Sequence, residues 1–346
     1  MLYRIPGNAG FPHSVPAIAF GLVVPAALAC VPTASYADVV ISSATTQNMN
    51  CTNGVCVPTA SDAVLNVTDL ENLLATGNVE IGTTGSGVQA DNIDIGAAFT
   101  WSSTNRLSLD AYDSIAFASG VTAAGQAGVS LVTNDGGTNG TLSFGQTGSL
   151  SFQSLSSTLA INGTSYALEN SIATLASAIA ANPVGDFALA ASYDASGDGT
   201  YANSPIATVL TGNVQGLGNT ISNLTINHPG VKDKGGYLGL FSEDGSSASI
   251  VSLRMIGLNV QVSYAPNAPE DVGGLIGWSQ GNLFDDHVAG SFNTGRDSGT
   301  GGLTGLESGG IILLCSANVN ISTSWGAGGL AGGLEGGSNN RLPVAP

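Results

Sequence analysis

Gly273-Gly274-Leu275-Ile276-Gly277 and Gly301-Gly302-Leu303-Thr304-Gly305 share a glycine doublet, an apolar residue and a spaced third glycine. Two further copies flank them, Gly235-Gly236-Tyr237-Leu238-Gly239 and Gly328-Gly329-Leu330-Ala331-Gly332. The motif thus returns with a period of roughly 30 residues, within the range of stacked repeat architectures. In such a chain each turn buries its apolar face only against its neighbours. That architecture offers a long surface in place of an enclosed pocket. The doublet glycines are expected at sharp corners, several at positive φ, where alanine would cost on the order of 1 kcal/mol or more. The Tyr or Leu in each motif should point inward and stack on its counterpart one turn away. No copy carries Gly-Lys-Ser/Thr between a strand and a helix, which excludes a phosphate-cradling loop.

Upstream, short alternating runs repeat the strand signal. Val79–Ile81, Asn92–Ile95, Leu107–Leu109, Ile115–Phe117, Val129–Leu131, Leu142–Phe144, Leu150–Phe152 and Leu159–Ile161 alternate apolar with polar residues between Gly, Asn, Asp and Ser. Each reads as a strand with one buried face. A close spacing of the runs also suits an antiparallel sandwich. Few hairpin signals and the length of the series favour an all-β, right-handed parallel β-helix, with three strands and about 20–25 residues per turn. One or two short side helices accompany it. Val67–Leu74 has helical spacing, with Thr68 or Asp69 as cap and Gly77 as stop, and Ser171–Ala181 ends at Asn182-Pro183.

Composition narrows the partners. Seven Lys and Arg face 24 Asp and Glu, a net charge of −17, so nucleic acid and anionic membranes are excluded as partners. Residues 1–37 read as a signal peptide: Arg4, an apolar stretch over 15–31 and the small-residue run Thr33–Ala37 before the cut. A membrane anchor is the rival reading, weakened by Pro16, Pro25 and Pro32. Export to the cell surface or medium is expected, with no membrane span after signal removal. Cys51-Thr-Asn-Gly-Val-Cys56 places two cysteines across an Asn-Gly turn, which in an exported chain predicts a local disulfide. Cys315, in an apolar run, reads as a small buried side chain.

Tyr166-Ala-Leu, Phe187–Ser196, Gly212–Ile226 and the four glycine motifs together resemble bacterial surface exoproteins of the filamentous-haemagglutinin type. The motif copies are similar to GLUG repeats, matched by Leu283 with Ala289–Phe292 and by Ile311 with Ala317–Val319. The resemblance covers about 166–337. It implies a right-handed parallel β-helix displayed on or released from the cell, commonly in adhesion, with an outer-membrane transporter as an export partner. The Asn-Pro-Asn motifs usual near the mature N-terminus of such exoproteins do not occur; the one Asn-Pro is Asn182-Pro183. Four segments follow from these readings: a signal at 1–37, a strand-rich region with the disulfide at 38–165, helix and turns at 166–230, and the glycine-repeat turns at 231–346. The last repeat dissolves into 339–346, so the chain reads as a truncated relative of a longer protein or as one whose end a partner covers.

Three clusters suggest chemistry. Asp285-Asp286-His287 has the paired carboxylates of a β-helical polysaccharide hydrolase or lyase. Such enzymes also carry Gly-His-Gly and Arg-x-Lys, which this chain lacks, and the repeat alignment sets 285–287 against Leu313, Leu314 and Cys315. Asp194, Ser196 and Asp198 mimic the start of a calcium loop, but Pro205 stands where its bidentate Glu belongs; an Asx turn is the simpler reading. His228 and His287 have no Cys or Ser-centred partner in sequence, and Arg254 and Arg296 read as surface partners of carboxylates. The expectation is a non-enzymatic protein without a cofactor, presenting Ser, Thr, Asn and Asp to a glycan or protein partner on a host or cell surface.

Overall fold

The computed structural model describes residues 38–229, 236–263, 271–294, 299–324 and 326–335. The segment 1–37 that reads as a signal peptide, Gly235, Arg296 and the final run 339–346 lie outside them. The protein is all-β, with two α-helices among the described residues, α1 (Val67–Thr76) and α2 (Ile172–Ala181). All eight alternating runs are strands, and nearly all pairings are parallel. That rules out the antiparallel sandwich.

The chain visits its sheets in a fixed, repeating order. In the first half three sheets alternate, so that Val79, Leu107, Val129 and Leu159 stack in register on one sheet, one per turn. In the second half four sheets alternate, and Val214, Ile250, Leu283 and Ile312 stack in the same way. Most turns exceed the expected length of about 20–25 residues. In the second half a fourth strand and the long strands Arg254–Val262, His287–Asn293 and Ser316–Ser322 extend the circuits.

A twelve-stranded sheet joins the halves, and its internal hairpin inverts the structure. Strand Thr158–Ile161 pairs antiparallel with Thr164–Glu169 across Asn162 and Gly163, both at positive φ. From there the strands run parallel again, in the opposite direction. The buried side inverts too. Leu159, Ile161, Leu168 and Ala188 belong to one apolar core, whereas Phe187, Leu189, Val214 and Ile250 belong to a second. Strand Asp186–Leu189 is where they meet: Phe187, Ala188 and Leu189 are all buried. A strand covered on both faces needs a continuous apolar run, and Phe187–Ala191 supplies one.

Each helix stands where the first turn of its half would otherwise have strands. Leu70 and Leu74 of α1 enter the first core, and Ile172, Leu175 and Ile179 of α2 the second. Glu71 accepts the Thr100 backbone N–H (2.9 Å) and the Leu74 carbonyl accepts from Asn105 Nδ2 (2.7 Å), so α1 covers the edge of strand Phe99–Trp101. The cap of α1 is Asn66, whose side chain accepts the Thr68 and Asp69 N–H groups, rather than Thr68 or Asp69 themselves. Gly77 and Asn182 end the helices as expected.

The glycine doublets correct two expectations. Gly273, Gly274, Gly301, Gly302, Gly328 and Gly329 all lie outside the positive-φ region. The left-handed corners fall instead on residues such as Ser252, Asp285 and Leu314, stacked one per turn. What excludes a side chain at most of the doublets is close approach. A Cβ on Gly273 would stand 2.0 Å from the Ile276 carbonyl oxygen and 2.6 Å from the Gly305 nitrogen. The spaced glycines Gly239, Gly277, Gly305 and Gly332 are crowded in the same way.

The first copy is also out of register. Phe241 pairs with Ile276, Thr304 and Ala331 along the sheet, and Tyr237 pairs with Asp271. Gly239-Leu240-Phe241 is thus the structural counterpart of Gly274-Leu275-Ile276. Leu240, Leu275 and Leu303 are buried inward; Tyr237 is half-buried and packs against Trp278, with ring centroids 5.0 Å apart.

Candidate binding surface

The second half carries a sheet of long strands: Thr225–His228, Arg254–Val262, His287–Asn293 and Ser316–Ser322. Their inward residues stack as Ile226, Val260, Phe292 and Ile321. Because side chains alternate between faces, every second residue is delivered outward at fixed register. Two outward columns result, Thr225-Asn259-Ser291-Asn320 and Asn227-Gln261-Asn293-Ser322. All eight are uncharged hydrogen-bonding groups, and the second column is exposed at every turn. The neighbouring strands stand about 4.8 Å apart, so the columns form a regular amide and hydroxyl lattice. A bulge at Gly257 (φ 66°) between Met255 and Leu258 brings Arg254–Val262 into this register. The first half repeats the theme with an outward column, Thr100-Thr122-Ser151.

Beside this lattice lies a hydrogen-bonded row. Ser252 Oγ donates to Asp285 Oδ2 (2.9 Å), Asp285 Oδ1 pairs with His287 Nε2 (3.1 Å), and His287 Nδ1 contacts Ser316 Oγ (2.8 Å). The His287 side chain is 37% exposed and Ser316 is exposed. A Ser–His–Asp sequence of contacts therefore exists, although nothing in the local sequence announces it. Ser316 lies a full turn after His287 and meets it only through strand register. That register also shifts the sequence alignment by one. Asp285, Asp286 and His287 stand against Leu314, Cys315 and Ser316.

Asp286 is separate from this row. It is fully buried, its Oδ1 accepts the Leu253 N–H (2.9 Å), and its Oδ2 has no hydrogen-bond partner. Burial pushes its carboxyl well above the ordinary range. Asp285 and Asp286 thus occupy opposite environments and do not face one shared space. Cys315 is half-buried and free, its sulfur accepting the Asp286 N–H (3.3 Å), and burial pushes its thiol up.

A second buried carboxylate group stacks inside the glycine-repeat turns. Asp244, Ser279 and Glu307 occupy neighbouring positions on successive strands and are buried. Asp244 Oδ1 accepts the Gln280 and Gly281 N–H groups (2.7 and 3.0 Å), and Ser279 Oγ donates to Oδ2 at 3.4 Å. Glu307 Oε1 accepts the Gly309 N–H at 3.4 Å, and Oε2 has no partner. Burial raises Asp244 to about 6 and Glu307 to about 8, the latter helped by the nearby Asp244 charge.

The calcium-like loop is internally satisfied. Asp194 accepts the Ser196 N–H and Asn223 Nδ2, each at 3.0 Å, which is the Asx turn. The Asn223 bond first, and then the Ser196 bond, hold its carboxyl below the ordinary value. Asp198 accepts the hydroxyls of Tyr193 and Tyr201, and the Asp198 bond pushes Tyr193 up to about 12. Among the described residues no three His, Cys, Asp or Glu side chains are placed to hold a metal ion.

Arg254 departs from its expected surface role. Its guanidinium donates to the carbonyls of Phe144 (2.9 Å), Gly145 (2.6 Å) and Gly148 (3.0 Å) in the first half, and to Gly218 in the second. The arginine ties backbone corners of both halves together. Cys51 and Cys56 form the expected disulfide across the Asn53-Gly54 turn, whose two central residues both have positive φ. No helix among the described residues is long and apolar enough to cross a membrane. No protein-family model, curated protein or solved structure matches the chain.

Proposed function

We propose that the protein is an exported, right-handed parallel β-helix of the filamentous-haemagglutinin type, acting as an adhesin-like binding protein. The two halves share one winding sense. Strand direction and the core-facing side of the shared sheet invert together, and the two inversions cancel, so both halves coil with the same hand. The observation that carries the binding role is the lattice of Thr225, Asn259, Ser291 and Asn320 beside Asn227, Gln261, Asn293 and Ser322. Flat, uncharged, regularly spaced amides and hydroxyls suit a glycan's own hydroxyls, and neutrality there avoids the repulsion that a −17 chain would impose on acidic cell surfaces. Binding to an immobilised glycan panel tests the reading. Gln261→Ala with Asn293→Ala should weaken binding about tenfold or more, on the basis of two hydrogen bonds lost at roughly 1 kcal/mol each. Unchanged binding by that variant would refute the lattice as the site. Secretion with a mature N-terminus at Asp38, read by mass spectrometry, tests export.

A hydrolytic second reading rests on the Ser316–His287–Asp285 contacts. Covalent labelling of Ser316 by a fluorophosphonate, lost in His287→Gln, would favour it. Absence of labelling returns the row to a structural role.

A further inference from the structure

We propose that the protein forms a two-fold symmetric dimer by antiparallel pairing of strand Ser316–Ser322 with the same strand of a second copy. The strand bonds to His287–Asn293 on one side and, among the described residues, to no strand on the other. Ser316 N–H donates to the Asp286 carbonyl, and the Ser322 carbonyl accepts from Thr294 N–H. Even-numbered residues therefore bond to the neighbouring strand, and alternation turns the N–H and C=O groups of Ala317, Val319 and Ile321 to the open side. Their side chains face the second core, where Val319 and Ile321 pack but remain half-exposed.

The occupant is argued from the sequence of the strand itself. Ser316-Ala317-Asn318-Val319-Asn320-Ile321-Ser322 is nearly palindromic about Val319. Two copies related by a two-fold axis through Val319 would oppose Val319 to Val319, Ala317 to Ile321, Asn318 to Asn320 and Ser316 to Ser322. All apolar residues then fall on the core side and all polar ones outside, and the outward N–H and C=O groups of both copies meet as hydrogen-bonded pairs. The pairing is isologous and closes at two copies. Charge favours the same partner. Although the chain carries −17 overall, residues 308–334 contain no charged side chain and the first charge after them is Glu335, so the paired strands themselves bring no like charges together. The strand also lacks the charged or proline residues that ordinarily protect an open edge. Exposed Ile311, Leu314 and Leu334 lie on the same last turn.

Sedimentation velocity on the full chain tests this. Wild type is expected as a dimer dissociating on dilution. Asn318 and Asn320 are exposed and outward, so their replacement leaves the core intact. Asn318→Lys/Asn320→Lys and Asn318→Asp/Asn320→Asp should each be monomeric, through like charges directly opposed, and an equimolar mixture should recover a dimer. Three results would overturn the proposal: a wild-type monomer at every concentration, as when the chain's own residues 336–346 cover the edge; a dimer that survives both double substitutions; or a mixture that stays monomeric while both variants melt like wild type.

Discussion

Glu307 makes the stability of the glycine-repeat turns depend on pH in an unusual direction. It is 3% exposed, one carboxyl oxygen has no partner, and its folded pKa is raised from 4.5 to about 8. Below pH 4.5 both folded and unfolded states hold the proton, and its stabilising share is fully present. Between 4.5 and 8 the unfolded chain ionises while the folded one does not, so stability falls as pH rises. Above 8 both states are ionised and the penalty stays constant. A shift of that size corresponds to at most about 5 kcal/mol, and local opening of the last turn relieves part of it, leaving roughly 3–5 kcal/mol. Asp244 and Asp286 act in the same sense, Asp244 finishing near pH 6. The window from pH 6 to 8 therefore isolates Glu307 from Asp244.

The assay is urea denaturation from pH 5 to 9, for wild type and Glu307→Gln. The amide keeps the shape and an acceptor for the Gly309 N–H but cannot ionise. The two proteins should be closely matched at pH 5 and diverge through pH 6–8. By pH 9 the variant should be the more stable by about 3 kcal/mol or more. Parallel curves across that window would refute the argument, because they would mean that Glu307 is solvated or that a cation holds it ionised.

Other consequences follow from the packing. Gly273→Ala should cost about 2 kcal/mol or more by driving a Cβ into the Ile276 carbonyl, whereas Gly329→Ala, with nothing within 4 Å, should stay within about 0.5 kcal/mol by the same urea denaturation. Arg254→Met keeps the stem and strips four carbonyls of their donor. It should cost about 2–4 kcal/mol and split a single calorimetric transition into two, since the two halves lose a shared tie. Replacing Cys51 and Cys56 by Ser should cost only about 2 kcal/mol, because the closed loop is short.

Much of this fold is written in period two. Leu107-Ser108-Leu109 and its fellows show which residues go in, and Phe187-Ala188-Leu189 shows a strand buried twice, because the face each side chain takes is set by alternation along its own strand. Correspondence between turns is different. It depends on how many residues each corner consumes, and the circuits here differ in length from one turn to the next, with bulges such as Gly257. A one-residue error moves a side chain from core to surface. The apparent equivalence of Tyr237–Gly239 with Leu275–Gly277 fails for that reason, and so does the alignment of Asp285 with Leu313. Glycine's role is hidden on the same ground. Positive φ is a property of one residue's neighbours in sequence, but the collision that excludes a Cβ at Gly273 comes also from Leu303 and Gly305, a turn away.

Several of the chemically suggestive arrangements among the described residues are of this inter-turn kind. Ser316 meets His287 across a full turn, Glu307 nears Asp244 across two strands, and Asn227 lines up with Gln261, Asn293 and Ser322 only through three successive pairings. In a stacked chain neither a surface lattice nor a buried carboxylate stack is a property of any single repeat, so each depends on register. An insertion of a single amino acid between Gly305 and Ser316 would leave every local motif intact. It would turn Val319 outward and Asn318 and Asn320 inward, ending the outer columns at the third turn and burying amides in the core. The same insertion would place apolar side chains on the solvent side of the open strand. Loss of the proposed glycan binding, together with aggregation in place of the proposed closed dimer, is the combined outcome expected of it. An insertion mutant that kept both properties would show that register does not govern them.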